Sequence, residues 1–221
     1  FLPQLGIVSD YVGSNRFLAG EVLNLASRRH LAFRIIDGAN MASANFGDLR
    51  AVLLVDRKPP DEALVKFALS GGLLILPAIA ASAVASFPEA GVHDGAFKIH
   101  TLGKGRAAVA LKTWSDPYVL AGDVHLLMSR SHDPYRIWNA VSTHVHVMGS
   151  TDSAIAHVLN YTGRISGHPV SLWIKGGFRT AHWRAMGENE QEQTLALTTK
   201  GDGVEVHLPP FAVCATIKFG V

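Results

Sequence analysis

Gly103-Lys104-Gly105-Arg106, followed by the apolar run Ala107-Ala108-Val109-Ala110-Leu111, opens the stretch on which the fold turns. The stretch closes at Ala154-Ile155-Ala156-His157-Val158-Leu159-Asn160-Tyr161. Its first segment pairs naturally with residues 97–101 as a hairpin around a Gly-rich turn. Asp116-Pro117-Tyr118 then starts an apolar helix that runs to about residue 130. The closing segment alternates with a period of two, as a half-buried strand does. Upstream of this stretch, strands alternate with helices; downstream there are strands only. Two folds are therefore expected, with the boundary near residue 140.

Upstream, Leu5-Gly6-Ile7-Val8 is a short apolar run ending at Ser9-Asp10, the signature of a buried parallel strand. Residues 15–29 place Phe17, Leu18, Val22 and Leu25 at helical spacing. Residues 32–36 and 51–55 read as further strands, closed by Asp37-Gly38 and Asp56-Arg57. Pro59-Pro60-Asp61 starts a second helix with Leu64, Val65, Ala68 and Leu69 on its apolar stripe, and Gly71-Gly72 ends it before the strand Leu73-Leu74-Ile75-Leu76. Repeated βα units predict a doubly wound parallel sheet with helices on both faces, over residues 1–140. Residues 78–87 read as a helix or a packed loop.

Downstream, residues 141–221 predict six or seven short antiparallel strands, a β-sandwich. His144, His146 and Met148 share one face, and Val170, Leu172 and Ile174 alternate with Ser171, Trp173 and Lys175. Residues 194–199 and 204–208 flank the turn Lys200-Gly201-Asp202-Gly203. Pro209-Pro210 breaks the chain before a last strand over 212–219.

Composition narrows the function classes. Hydrophobic residues are 48% and charged residues 17% of 221, enough apolar material for ordinary cores. There are 14 basic against 12 acidic residues up to Asn139 and six of each afterwards, with no basic stripe, so nucleic acid is not an expected partner. No run of about 20 apolar residues occurs, so no membrane span is expected. The single cysteine, Cys214, rules out an intrachain disulfide and a Cys-rich zinc site. The chain begins at Phe1 and lacks a signal-peptide pattern, which suggests a piece of a longer gene product or a processed form. The compartment stays open, and no cofactor is expected.

In an open α/β sheet, ligands bind beyond the carboxyl ends of the strands. Asp10, Asp56 and Arg57 lie there, with Ser9 and Asp37. Such acids can hold a ribose, a sugar or a metal, while Asp at a strand end more commonly caps the next turn. Trp173 and Trp183 could stack on sugar rings if they face outward, against the commoner use of Trp as core. His144-x-His146 could supply two metal ligands, though no third can be named. Asp116, Asp123 and Asp133 could include a carboxylate pair for glycoside hydrolysis; Asp-Pro at 116–117 and 133–134 reads more simply as helix initiation. Asn160-Tyr161-Thr162 fits a glycosylation sequon. No activated nucleophile is visible, and Cys214, alternating with Val213 and Ala215, reads as core.

Two sets of motifs carry a resemblance. Phe67-Ala68-Leu69-Ser70-Gly71-Gly72-Leu73-Leu74-Ile75-Leu76 and Gly103-Lys104-Gly105-Arg106 resemble the helix–Gly-Gly–strand step and late hairpin of the trimerisation domain of some bacterial β-galactosidases. That domain is non-catalytic, with a class I glutamine amidotransferase-like, flavodoxin-like sheet. The segment 154–161, then Leu208-Pro209-Pro210 and 212–219, looks like the small terminal β-sandwich of many glycoside hydrolases. The resemblance implies a non-catalytic accessory or oligomerisation region. Its expected partners are an upstream catalytic barrel of the same polypeptide, a homo-oligomer and carbohydrate. The barrel's paired Glu residues have no counterpart here, and Pro77-Ala78 stands where an amidotransferase would place its nucleophilic Cys. Two other readings compete: an independent carbohydrate-binding module using Trp173 and Trp183, and a small hydrolase using Asp10, Asp56 or Asp116.

Overall fold

A computed structural model describes residues 4–41, 44–129, 132–140, 142–150, 152–162, 164, 169–186 and 191–221. The chain divides into two compact units, Pro3–His132 and Asp133–Val221.

The first unit is built from β1 (Leu5–Ser9), α1 (Arg16–Arg28), β2 (Phe33–Asp37), β3 (Ala51–Leu54), α2 (Glu62–Leu69), β4 (Leu73–Leu76), β5 (Glu89–His93), β6 (Phe97–Leu102), β7 (Gly105–Ala110) and α3 (Pro117–Met128). They form one seven-stranded sheet in the order β2-β1-β3-β4-β7-β6-β5. The five strands β2, β1, β3, β4 and β7 run parallel, and β6 and β5 extend the sheet antiparallel. The central strands are apolar throughout because both faces are covered. Leu18, Val22, Leu120 and Val124 of α1 and α3 pack with Ile7, Leu53 and Ala108 on one face. Leu64 and Phe67 of α2, with Ala80 and Val84 of a 3₁₀ segment (Ala78–Val84), pack with Val8, Leu54 and Leu76 on the other. Asp116 caps α3, accepting from the amides of Tyr118 and Val119, with Pro117 in the first turn.

The two glycine motifs turn out to be one contact. Gly103 takes a left-handed φ of 56°, and the hairpin tip lies on the end of α2: Lys104 N donates to Leu69 O and Arg106 N to Gly72 O, each at 3.0 Å. A Cβ on Gly105 would stand 2.2 Å from Ala68 O and 2.3 Å from Gly72 O. Only glycine permits that approach.

The second unit holds β8 (Tyr135–Trp138), β9 (Thr143–Gly149), β10 (Ser153–Asn160), β11 (Val170–Lys175), β12 (Thr180–Ala185), β13 (Gln193–Thr194), β14 (Thr198–Lys200), β15 (Gly203–Leu208) and β16 (Cys214–Gly220). Two antiparallel sheets run in the orders β13-β12-β16-β10-β9 and β14-β15-β11-β8. Ala156, Val158 and Ile217 of the first and Leu172, Ile174 and Val206 of the second are fully buried. The Tyr135 hydroxyl on β8 donates to Val145 O on β9, tying one sheet to the other. This is a sandwich arrangement.

Several expectations need correction. The division falls after His132, not near residue 140, because Tyr135–Trp138 pairs with β11 and so belongs to the second unit. Residues 194–199 are not one strand: Thr194 pairs with β12 and Thr198 with β15, so the chain changes sheet between them. Phe17 lies off the buried stripe of α1 and is 72% exposed; the stripe is Leu18, Ala19, Val22 and Ala26, with Leu25 only half-buried. Among the described residues, no helix is long and apolar enough to cross a membrane.

Candidate functional site

The connections leaving β1 and β3 run to opposite faces of the sheet, through α1 and α2, so the carboxyl ends of these strands form its topological switch point, where open α/β sheets bind ligands. Three of the residues singled out in the sequence lie at this switch point: Asp10, Asp56 and Arg57. Asp56 is buried and is the hub. Its Oδ1 accepts from Ser9 Oγ at 2.6 Å, and its Oδ2 accepts from the Asp10 amide at 3.0 Å with Lys58 Nζ 3.5 Å away. Ser9 Oγ accepts in turn from the Tyr11 amide. Gly38 N donates to Ser9 O, bringing the end of β2 to the same point, where a Cβ on Gly38 would meet the Asp10 amide at 3.1 Å. Asp37 accepts from Ala39 N and Asn40 Nδ2, which hold its carboxyl below the ordinary range. Asp10 accepts from Val12 N across a tight turn. Arg57 is exposed and reaches Trp114 O at 3.4 Å.

This network consumes its own chemistry. Ser9 is fully buried and its proton is directed at Asp56, and among the described residues no imidazole hydrogen-bonds to Ser9 or Asp56, unlike the nucleophile–base pairs of hydrolases. Both oxygens of Asp56 are occupied. Tyr11, not anticipated from the sequence, is the exception. It sits at a left-handed φ of 55°, and its buried hydroxyl has no hydrogen-bond partner among the described residues. Burial, then the charges of Asp56 and Asp37, push its pKa up to about 12, so the group remains a proton donor.

The tryptophan reading is corrected. Trp173 and Trp183 are only 6% and 4% exposed. Trp173 does lie on the polar side of β11, but Arg136 covers its ring at 5.0 Å and its Nε1 donates to Lys200 O. A ring closed in this way offers no face for a sugar to stack on. His144 and His146 share a strand face as expected, and the register adds His157 directly opposite His146. His157 Nδ1 lies 3.0 Å from Thr216 Oγ1, and burial followed by the His146 charge pushes the His144 pKa down. Among the described residues, no group of three or more His, Cys, Asp or Glu side chains is arranged to hold a metal. Cys214 is half-buried and burial raises its pKa, which disfavours the thiolate.

Of the other carboxylates singled out in the sequence, Asp116 caps α3 and Asp133 pairs with Arg136 at 3.1 Å. Asp123 is raised by burial and then by Asp94. Asn160 is buried and clamps two loops: Nδ2 donates to Arg164 O and Phe211 O, while Oδ1 accepts from Thr162 N and Oγ1. Its position in the sequon thus has a packing explanation.

No family model matches the chain, and no curated protein matches it by sequence. Solved structures do match it. An α-L-fucosidase isoenzyme 2 from Paenibacillus thiaminolyticus superposes with TM-score 0.66 and 8% identity, over 99% of this chain and 48% of that one. The GH42 β-galactosidase Gan42B of G. stearothermophilus gives 0.64 and 9%, over 100% and 41%. A rhamnosidase from Novosphingobium sp. PP1Y gives 0.66 and 10%, over 99% and 22%. The fold of this chain therefore recurs as part of glycoside hydrolase chains, and the chain spans less than half the length of each.

Proposed function

We propose that this chain is a non-catalytic accessory region of a bacterial glycoside hydrolase. On this reading an amidotransferase-like α/β unit of the trimerisation type is followed by a terminal sandwich, in the same polypeptide as a catalytic barrel. Its work is assembly and the shaping of a neighbouring substrate cleft. The observation that carries the reading is coverage: essentially the whole chain, both units together, matches a fraction of much longer glycoside hydrolases. The internally satisfied switch point supports it, as does Pro77 at the end of β4, where an amidotransferase would need its thiol. The rival reading as an independent sugar-binding module loses its exposed platform with the burial of Trp173 and Trp183.

The test has two arms. The isolated chain, assayed on a panel of aryl glycosides and simple esters, is expected to show no turnover. Turnover that Asp56→Asn abolishes would overturn the reading in favour of a hydrolase. The intact mass of the native gene product is expected to exceed this chain by at least about 250 residues, the size of a (β/α)₈ barrel.

A further inference from the structure

The opposite end of the α/β sheet, where β3, β4 and β7 begin, has a different character. Two cavities open there. The larger, about 650 Å³, lies between the connection before β3 and α2, with Met41, Phe46, Leu49 and Phe67 as its apolar lining. That volume is in the range of small-molecule pockets, about 300–1,000 Å³. The smaller, about 210 Å³, is lined by Lys104, Arg106 and the last residues of α3. Arg50, Gly71 and Gly72 border both. The shared wall is thin because neither glycine can carry a side chain: Gly71 has φ 128°, and a Cβ on Gly72 would fall 2.2 Å from the Phe67 ring.

Arg50, Lys104 and Arg106 are exposed and have no carboxylate partner among the described residues. Cations do collect near helix carboxyl ends to complement the dipole. Here the last carbonyls of α2 already have amide donors: Lys66 O from Ser70, Phe67 O from Gly72, Ala68 O from Gly71 and Leu69 O from Lys104. The three side-chain charges are not needed to cap that helix.

We propose that these adjoining cavities bind a small amphipathic anion across their shared Gly71-Gly72 wall, with a ring-sized apolar body in the larger cavity and a sulfonate, sulfate or carboxylate head between Arg50, Lys104 and Arg106. Arg50 stands at the junction and presents a planar fork suited to an oxyanion. The site is separate from the switch point and does not depend on the accessory-region reading.

The probe is 1-anilinonaphthalene-8-sulfonate, titrated into the full chain at low ionic strength and read by fluorescence. Saturable binding of one probe per chain is expected. Arg50→Gln and Lys104→Gln should each weaken it about tenfold, the loss of one charge-assisted contact. Ala63→Phe, which fills the larger cavity, should abolish it. Arg50 and Lys104 are exposed, so their variants should keep the parent's unfolding midpoint and decide the matter even if Ala63→Phe fails to fold. Absence of saturable binding, or affinity unchanged in Arg50→Gln, would overturn the proposal. So would displacement of the probe by inorganic sulfate at concentrations equal to those of an arylsulfonate, since that would mean a plain anion site.

Discussion

The two ends of the parallel sheet handle charge in opposite ways. At the carboxyl end, the buried carboxylate of Asp56 is matched by Ser9, the Asp10 amide and Lys58, and little is left over for a ligand. At the amino end, three cations surround cavities with no carboxylate partner among the described residues. In a doubly wound sheet the carboxyl end is the usual binding side. Here the buried charge on that side is spent on joining β1, β2 and β3, with the exposed Arg57 left at its surface, and a cluster of three unspent charges lies at the other end. Charge matched internally is architecture. Charge left unmatched beside a cavity is available for recognition.

The sharpest way to break this contrast is Asp56→Ala. It strands a buried hydroxyl and a buried amide, so a loss of about 3–5 kcal/mol is expected, read as a fall in the urea midpoint. A loss under about 1 kcal/mol, the level of an exposed pair, would mean that the network is not structural. Gly105→Ala tests the amino end as architecture. Its Cβ would press on two carbonyl oxygens, and overpacking of this kind costs about 1–3 kcal/mol. Arg50→Gln sharpens the comparison from the other side: an exposed, unpaired cation should change stability by no more than about 0.5 kcal/mol. A larger loss would show that Arg50 has a structural partner and would remove it from the pool of available charge.

Much of this was legible in the sequence. Continuous apolar runs gave β1, β3 and β4, and helical spacing gave α1 and α2, because a parallel sheet buries both strand faces and each helix buries one stripe. Strand ends located Asp10, Asp56 and Arg57 for the same reason. What was not legible depends on distant partners. Nothing local announces that Ser9 donates a hydrogen bond to Asp56, 47 positions away. The alternation in β11 correctly put Trp173 on the polar side, but exposure is decided by Arg136 on the adjacent β8 and by Lys200 on β14, two strands away. β5 has no apolar pattern to read, because its residues are largely exposed and its register shifts between Glu89 and Gly91. Tyr11 escaped because its left-handed backbone carries no glycine to signal it.

Tyr11 also provides the finest test. Its hydroxyl is buried without a partner among the described residues, so Tyr11→Phe removes an unsatisfied group and should raise stability at pH 8 by about 1 kcal/mol. The alkaline side behaves differently. In the unfolded chain Tyr11 ionises near its ordinary value of 10, whereas the folded protein holds the proton to about 12. Below pH 10 both states are protonated and the group contributes no pH dependence. As pH rises from 10 to 12 the unfolded state loses the proton first, so folding stability falls through that window. Phenylalanine has no proton to lose, so its lead over the parent should be wider at pH 11. Burial also raises Tyr135, but that group is present in both proteins and cancels in the comparison. A variant weaker than the parent at pH 8 would mean that the hydroxyl is engaged after all, for instance through a bridging water. The switch point would then hold one more matched group, and the contrast with the amino end would be complete.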